Sequence, residues 1–399
     1  MKLAFVVQRY GLDIAGGAEY HCRLIAEQLS RHAEVEVFTT CATDYVTWAN
    51  QLPPGRQLLN GIPVTRFPVE RTRDTLRFAK QSARAFAPGH MPADELRWLD
   101  EEGPFCPRLV REIEARRDQF DLWIFFSYRY WTTCHGLRAA ADRAILVPTA
   151  EDDGVYRLSI FPPLFRSPRA IVWNSPEERT MIERAAGCQG VPGDVVGVGS
   201  ALPKRLDPAS FRKRFELDGP FALYVGRIDR NKGCDELFAF FNQYREETGT
   251  RLKLVLVGKA ILAIPNDPAI LHLGFLPDAE KWNAIAACEA LTIPSRYESL
   301  SMVTLEAWWA ERPVLANAKC DVLRGQCRRS NAGLYYSSYD EFKAALGLLE
   351  SNQALRREMG RNGRRYFEAN YAWDVIETKY LALLAEALRT APAPLGRPA

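Results

Sequence analysis

Two glutamates stand eight positions apart in SRYESLSMVTLEA, Glu298 and Glu306, with Ser299, Ser301 and Thr304 between them. On one continuous helix they would lie about 80° apart and share no clean face. That objection lapses if Glu298 precedes the helix. The backbone N–H groups near Leu300 to Val303 then sit at a helix start, where an anion is welcome. Each glutamate can accept hydrogen bonds from sugar hydroxyls on either side of a phosphate held there. A glutamate near a helix start is also simply stabilising. That plain explanation weighs more for Glu298 than for Glu306, which falls in an otherwise apolar helix.

Two cations have a matching position. In PFALYVGRIDRNKG, Arg227 and Lys232 bracket the loop that leaves an apolar strand. A guanidinium and an ammonium at a strand's carboxyl end suit a diphosphate. Either one alone would ordinarily be a solvated surface charge. Earlier in the chain, Gly16 and Gly17 of AGGAE lie between a strand and a helix. They offer backbone N–H groups to an anion, although tight βα turns need glycine for geometry alone. Glu151, in VPTAEDD, follows the apolar strand RAILVPT and emerges at a strand's carboxyl end. It is otherwise a surface acid in a turn. The string EDD leaves a metal-binding reading open.

The elements that must position these residues follow an α/β grammar. KLAFVVQ is a buried parallel strand, EYHCRLIAEQLSRH a helix with Cys22, Ile25 and Leu29 on one stripe, and EVEVFTT the next strand. The same strand–loop–helix–strand order returns about 220 residues later in PFALYVGRID, NKGCDELFAFFNQYREE and RLKLVLVG. The pattern predicts two Rossmann-like domains, 1–200 and 205–374, with a linker near 199–208. DLWIFFS, RAILVPT, RAIVW and VVGV are further strands of the first domain, and LTIPS opens the segment that carries the two glutamates. In NSPEER, Ser175 caps a helix, Pro176 takes its first position and Glu178 has the capping-box spacing. Between 48 and 120 the rhythm is interrupted, and proline-punctuated helices are expected at 74–86, 93–101 and 106–117. Arg66, Arg71, Arg73, Arg77, Lys80 and Arg84 make the front of this insert basic. A solvated helical face is the ordinary reading, and a surface that faces anions or a membrane is the alternative. Two long helices close the chain. The tail TAPAPLGRPA reads as disordered.

Composition bounds the function. With 52 Lys and Arg against 49 Asp and Glu, nothing favours nucleic acid as a partner. Nine scattered cysteines without a CxxC pair read as reduced thiols of a cytoplasmic protein, with no metal site built on cysteine. The opening apolar run is too short for a secretory signal, and no run of about 18 apolar residues spans a membrane.

Taken in order, the GGAE loop, VGRIDRNKG, the E-x7-E pair, NSPEER and NAGLYY resemble the retaining nucleotide-sugar glycosyltransferases of family 4, over nearly the whole chain. The resemblance implies a GT-B fold, two Rossmann-like domains facing each other across a cleft. The first would be acceptor-side, joined by a crossover helix at about 375–390, and the second would bind the donor. It implies a nucleotide diphosphate sugar as donor substrate, no separate cofactor and no metal. The acceptor would be the hydroxyl of a glycan, a lipid-linked sugar or a small molecule, in glycan or surface polysaccharide synthesis. Glu306 would hold the ribose hydroxyls and Glu298 would touch the donor sugar. Arg227 and Lys232 would neutralise the departing diphosphate. Ser299, Leu300 and Ser301 would offer backbone N–H groups. Gly16 and Gly17 would close over the diphosphate or the acceptor. Glu151 stands where many relatives carry a histidine in a TAHD-like string, which puts it against the reacting sugar or the acceptor hydroxyl. The protein would be cytoplasmic, with peripheral contact at the inner membrane face left open. Another GT-B activity, such as epimerisation or hydrolysis of a nucleotide sugar, or a non-catalytic sugar-nucleotide binding module, are the alternatives.

Overall fold

A computed structural model of the chain describes residues 1–14 and 16–389. Ala15 of the glycine loop and the terminal TAPAPLGRPA lie outside the described residues. The chain divides into two compact units, residues 1–198 together with the segment from Ile376, and Gly199–Val375.

Among the described residues the first unit contains eight strands: β1 (Lys2–Val6), β2 (Glu34–Thr40), β3 (Gly55–Leu59), β4 (Ile62–Phe67), β5 (Leu122–Phe126), β6 (Ala144–Val147), β7 (Ala170–Trp173) and β8 (Gly193–Val195). Their order in the sheet is β3-β4-β2-β1-β5-β6-β7-β8. All neighbours run parallel except β3 and β4. The central strands are buried, β1 from Leu3 onwards and β5, β6 and β7 along their whole length, which explains why they read as continuous apolar runs. The strand expected at VVGV closes three residues early instead, and 196–198 continue as irregular chain. The hairpin of β3 and β4 was not anticipated. It turns on Asn60 and Gly61, at φ 49° and 80°, the pair that a two-residue turn with two positive φ angles demands.

Between β4 and β5 the insert folds into the helices Thr75–Ala85, Pro92–Glu102 and Pro107–Arg116, close to their expected places. Ala85, Trp98, Leu99, Leu109 and Ile113 carry their inner faces into the core against Phe125, Tyr128 and Phe161. The basic front of the insert is not one surface. Arg66 is buried on β4, and Arg73 is packed over Phe78 at 4.3 Å and paired with Glu102 at 2.8 Å. The closing helix, Trp373–Arg389, buries Ile376, Tyr380, Leu383, Leu384 and Ala387. Lys379 Nζ donates to Val195 O and Arg169 to Ala387 O, so its larger part packs on this unit.

The second unit contains β9 (Phe221–Val225), β10 (Lys253–Val257), β11 (Ile270–His272), β12 (Ala290–Ile293), β13 (Val314–Asn317) and β14 (Gly333–Tyr336). All are parallel, in the order β11-β10-β9-β12-β13-β14. From β9 the chain winds outwards through β10 to β11. It then returns to the other side of β9 with β12. The strand order therefore reverses between β9 and β12, and an open α/β sheet receives ligands beyond the carboxyl ends of the strands at that point.

Candidate functional site

The loop after β9 and the loop after β12 are the two that flank this reversal. The first holds Arg227, Asp229 and Lys232, and the second holds Glu298. Lys232 Nζ donates to Glu298 Oε1 at 2.8 Å, which ties the loops together across 66 residues of sequence. Asp229 organises the first loop from within. It is buried, its Oδ2 pairs with Arg227 Nε, and its Oδ1 accepts the Lys232 amide at 2.8 Å. Tyr224, the fourth residue of β9, donates its hydroxyl to Arg227 O at 2.7 Å. Burial pushes the Tyr224 hydroxyl far above the ordinary phenol range, so it serves as a neutral donor.

Glycine is required where the loop enters and leaves. A Cβ on Gly258, after β10, would meet Gly226 O at 1.9 Å, and both residues have positive φ. Gly233, at φ 72°, precedes the helix Cys234–Thr248, and a Cβ there would meet Pro294 O at 2.3 Å. The Arg227–Lys232 loop is thus pressed against the end of β12, and this brings Lys232 within reach of Glu298.

Glu298 lies before the helix Met302–Trp309, not within it. Ser301 is the cap position and holds φ 65°, a left-handed conformation uncommon for serine. Its hydroxyl accepts from Thr304 Oγ1 at 2.9 Å and makes no side-chain cap to the helix's leading amides, of which Thr304 N–H donates to Ser301 O at 3.1 Å. Leu300 O is fixed by Gln326 Nε2 at 2.6 Å. Burial and the carboxylate of Glu298 push the Cys320 thiol, which the Glu298 amide faces, up to about 12.

Glu306 is one turn into that helix and 4% exposed. Its carboxylate accepts from Lys281 Nζ at 2.7 Å. Burial holds the Glu306 carboxyl above its ordinary range, with the Lys281 charge opposing. Lys281 belongs to the helix Asp278–Ala287, and nothing in its local sequence singled it out. Asp229 and Gln326 were likewise missed. The signal for Asp229 was present, because an acid between two cations in RIDRNK is a ready internal counter-ion.

In the first unit the strand order reverses at β1 and β5. The glycine loop follows β1. Gly16 has an extended backbone, so its need is steric: a Cβ would meet Glu19 Oε2 at 2.1 Å. Glu19 is buried at the start of the helix Gly17–Leu29, where it accepts from Arg9 Nε at 2.8 Å and Gln8 Nε2 at 3.0 Å. The loop's own ion pair therefore accounts for Gly16, whereas Gly17 faces open space.

Glu151 follows β6, partly exposed, in a loop held at several points. Thr149 sits at φ 51°, a costly conformation for a β-branched residue, and its hydroxyl meets Ser127 Oγ at 2.9 Å. Glu178 anchors the loop from below. Its carboxyl accepts the Ala150 amide at 2.5 Å and the Asn174 amide at 2.6 Å. Ser175 does cap the helix Pro176–Ala186, receiving the Glu178 amide at 3.2 Å. Burial, reinforced by the Glu151 charge, pushes the Glu178 carboxyl up to about 8 against those amides.

The acids of EDD do not converge. Asp153 pairs with Arg129 at 2.6 Å, and Asp152 accepts from Tyr156 at 2.8 Å. Among the described residues no three His, Cys, Asp or Glu side chains gather so as to hold a metal ion. Nor is any helix among them long and apolar enough to cross a membrane. All nine cysteines are free and buried.

Residues 207–366 match the family described as Glycosyl transferases group 1, so the second unit contains a domain of that kind. Glycogen synthase of Thermus thermophilus is 28% identical over 186 residues, 45% of this chain and 41% of that enzyme, so the chain matches about two fifths of this relative's length. D-inositol 3-phosphate glycosyltransferase of Nocardia farcinica is 24% identical over 392 residues, 91% of this chain and 83% of that one. Among solved structures, HepE of Anabaena in complex with UDP and glucose superposes with a TM-score of 0.69 at 16% identity, over 96% of this chain and 99% of that one. At such identity the likeness is one of fold: α/β, with two Rossmann-like parallel-sheet units, the GT-B architecture.

Proposed function

We propose that the chain is a retaining glycosyltransferase of the family 4 kind, which moves a sugar from a nucleotide diphosphate sugar to a hydroxyl acceptor. One observation carries this reading. The Lys232–Glu298 bridge spans the point of strand reversal in the second unit, with Arg227 beside it. A cation pair there suits a diphosphate, and carboxylates on either side suit the hydroxyls of a sugar and of a ribose. The group 1 match over the same unit supports it, as does the UDP and glucose complex of a structure with the same fold.

In this reading Arg227 and Lys232 offset the charge that develops on the leaving diphosphate, and Glu298 orients the donor sugar. Ser299, Leu300 and Ser301 present backbone N–H groups, and Glu306 binds the ribose. Glu151 and the Gly16–Gly17 loop are assigned to the acceptor side. The acceptor hydroxyl attacks from the face that the phosphate leaves, so no side chain acts as a covalent nucleophile. Rate comes from positioning and from electrostatic stabilisation of the leaving group. The cations take the part that a metal plays in other transferases. The free thiols fit a reducing compartment, and a cytoplasmic site of action is part of the proposal.

The test is a panel of nucleotide sugars, first by thermal shift and then by turnover with and without acceptors. A donor at about a hundred times its Kd should stabilise the chain by about 2.7 kcal/mol. Lys232→Ala and Arg227→Ala should each cost roughly 1.5–3 kcal/mol of transition-state stabilisation, or about tenfold to more than a hundredfold in kcat/KM, without unfolding the chain. Product without acceptor would indicate an epimerase or hydrolase, and binding without turnover would indicate a silent module. Near-normal turnover in both variants would refute the assignment.

A further inference from the structure

The first sheet reverses between β1 and β5, and parallel strands deliver the loops after β1, β2, β5 and β6 to its carboxyl edge around that point. These loops are residues 7–16, 41–54, 127–130 and 148–161. They hold three cations, Arg9, Arg129 and Arg157, against five acids, Asp13, Asp44, Glu151, Asp152 and Asp153. Each of the three arginines is already bound to a carboxylate. Arg9 is 5% exposed; its Nε donates to Glu19 at 2.8 Å and its Nη1 to Thr43 O at 2.9 Å. Arg157 is exposed, lies along the Tyr156 ring at 5.2 Å and reaches Asp152 at 3.4 Å.

Arg129 belongs to a longer chain of charge. Its Nε donates to Glu102 Oε1 at 2.9 Å and its Nη1 to Asp153 Oδ2 at 2.6 Å. Glu102, buried, comes from the helical insert, and its other oxygen takes Arg73 at 2.8 Å. Arg73 Nη1 is further fixed on Tyr45 O at 2.9 Å. Two guanidinium groups thus meet two carboxylates, and the set is neutral. Neutral donors occupy other acids of the edge. Asp44 accepts the Val46 amide at 2.8 Å and the Thr47 amide at 2.6 Å, and Asp152 also accepts the Tyr156 hydroxyl. Beside these groups the edge is apolar and aromatic. Tyr45 and Tyr130 are half-buried against Trp48, the latter edge-on at 5.4 Å, and Leu12 and Val46 are exposed.

On the acceptor-side assignment of this edge, on which the inference rests, we propose that the acceptor is an uncharged saccharide, and that a sugar with a phosphate beside its accepting hydroxyl is refused. A phosphate needs arginine nitrogens that are not already committed. To bind one here, Arg9 or Arg129 must leave a carboxylate behind without its partner, and the anion must then lie beside an acid. Like charges so placed select against that ligand. A neutral sugar meets neither obstacle. Its hydroxyls donate to carboxylates, and its apolar face packs on tyrosine rings. An amino sugar gains little more, since Asp153 is paired with Arg129 and Asp44 is spent on amides.

Two measurements test it on the full chain. With a donor named by the nucleotide-sugar panel, turnover is compared on glucose, mannose, galactose and fructose and on the 6-phosphate of each. The free sugar should be favoured in kcat/KM by at least about a hundredfold. Turnover mainly onto the phosphates overturns the inference and leaves the donor reading standing. The second measurement needs no donor. Arg227→Ala with Lys232→Ala removes the donor cations, and inorganic phosphate is titrated into that chain by calorimetry. No binding is expected at millimolar concentration. Asp153→Asn on the same background keeps an acceptor for the Val155 amide, which Asp153 Oδ1 takes at 3.1 Å, but leaves Arg73 and Arg129 with Glu102 alone. It should create phosphate binding. Phosphate already bound before that change and lost in Arg129→Gln or Arg157→Ala overturns the inference, as does a folded Asp153→Asn chain that gains none. Where no sugar of the panel reacts, the phosphate titration decides alone. A chain that no nucleotide sugar stabilises sinks the donor reading, and the titration still judges the edge.

Discussion

Lys281→Met is the sharpest probe of the second unit, because it removes the partner of a buried carboxylate. Glu306 is 4% exposed and bonded to Lys281 at 2.7 Å. Without the ammonium, Glu306 must stay charged and unpaired, which costs about 3–5 kcal/mol, or take up a proton. The proton route has a cost set by pH. An unfolded glutamate releases its proton near 4.5, so keeping it at about pH 7.5 costs roughly 4 kcal/mol, and at about pH 5 roughly 0.8 kcal/mol. The sign follows from the direction of the shift. A carboxyl whose folded value lies above its unfolded value favours folding below 4.5 and loses that advantage as pH rises towards the folded value. The variant should therefore be only mildly destabilised at about pH 5. At about pH 7.5 its transition should fall by roughly 8–16 °C, at about 2–4 °C per kcal/mol for a unit of this size. Scanning calorimetry at the two pH values reads this directly. Adding Glu306→Gln to Lys281→Met should restore most of the stability at the higher pH. An equal loss at both pH values would show that Glu306 is not the group left unpaired.

Glu178 makes a second pH prediction. Its carboxyl rises from 4.5 to about 8, so the native state holds a proton that the unfolded chain has lost, and this group removes stability as pH climbs through that window. Over the window the loss is roughly 4–5 kcal/mol. Glu178→Gln gives up an acceptor for one buried amide, costing about 1–3 kcal/mol, but its deficit against wild type should shrink from pH 5 to pH 8, as chemical denaturation at each pH would report; a constant deficit would contradict the shift. Turnover, once a donor is known, should survive EDTA, since Asp152 and Asp153 are turned to different partners. Loss restored by magnesium or manganese would return attention to that loop.

Which of these features the sequence discloses depends on what brings the residues together. The strands of both sheets announce themselves because a parallel strand covered on two faces must be apolar where it is buried, as LAFV and FALYV are. The stripe of Cys22, Ile25 and Leu29 is as direct, and all three are buried. The β3–β4 hairpin shows how a local signal is lost by context. Asn60-Gly61 is the expected turn pair, yet GRQLL is largely exposed and does not alternate apolar with polar residues, so the segment does not look like a strand until β4 pairs with it. Gly16 has a steric need that the sequence does not show, because a Cβ there would meet the Glu19 carboxylate.

The same distinction runs through the site. Arg227, Lys232 and Glu298 can be brought together from sequence because parallel strands deliver every following loop to one edge, and the order of strands then decides which loops are neighbours. No knowledge of side-chain packing is needed for that step, only that β12 returns beside β9. Lys281 meets Glu306 by another route. The two sit on separate helices, Asp278–Ala287 and Met302–Trp309, and their meeting depends on how those helices pack over the sheet. Helix packing is set by the fit of many side chains and leaves no periodic or spaced trace in either segment. The same holds for Glu178. Its capping-box spacing is visible, but its hold on the Ala150 amide, 28 residues away, arises only when β6 and β7 lie side by side. Backbone topology thus carries the part of the site that pairs cations with a carboxylate at a sheet edge. The buried partners that fix the charge of Glu306 and the position of the Glu151 loop are a property of packing, which is why substitutions at Lys281 and Glu178 test the structure where the sequence is silent.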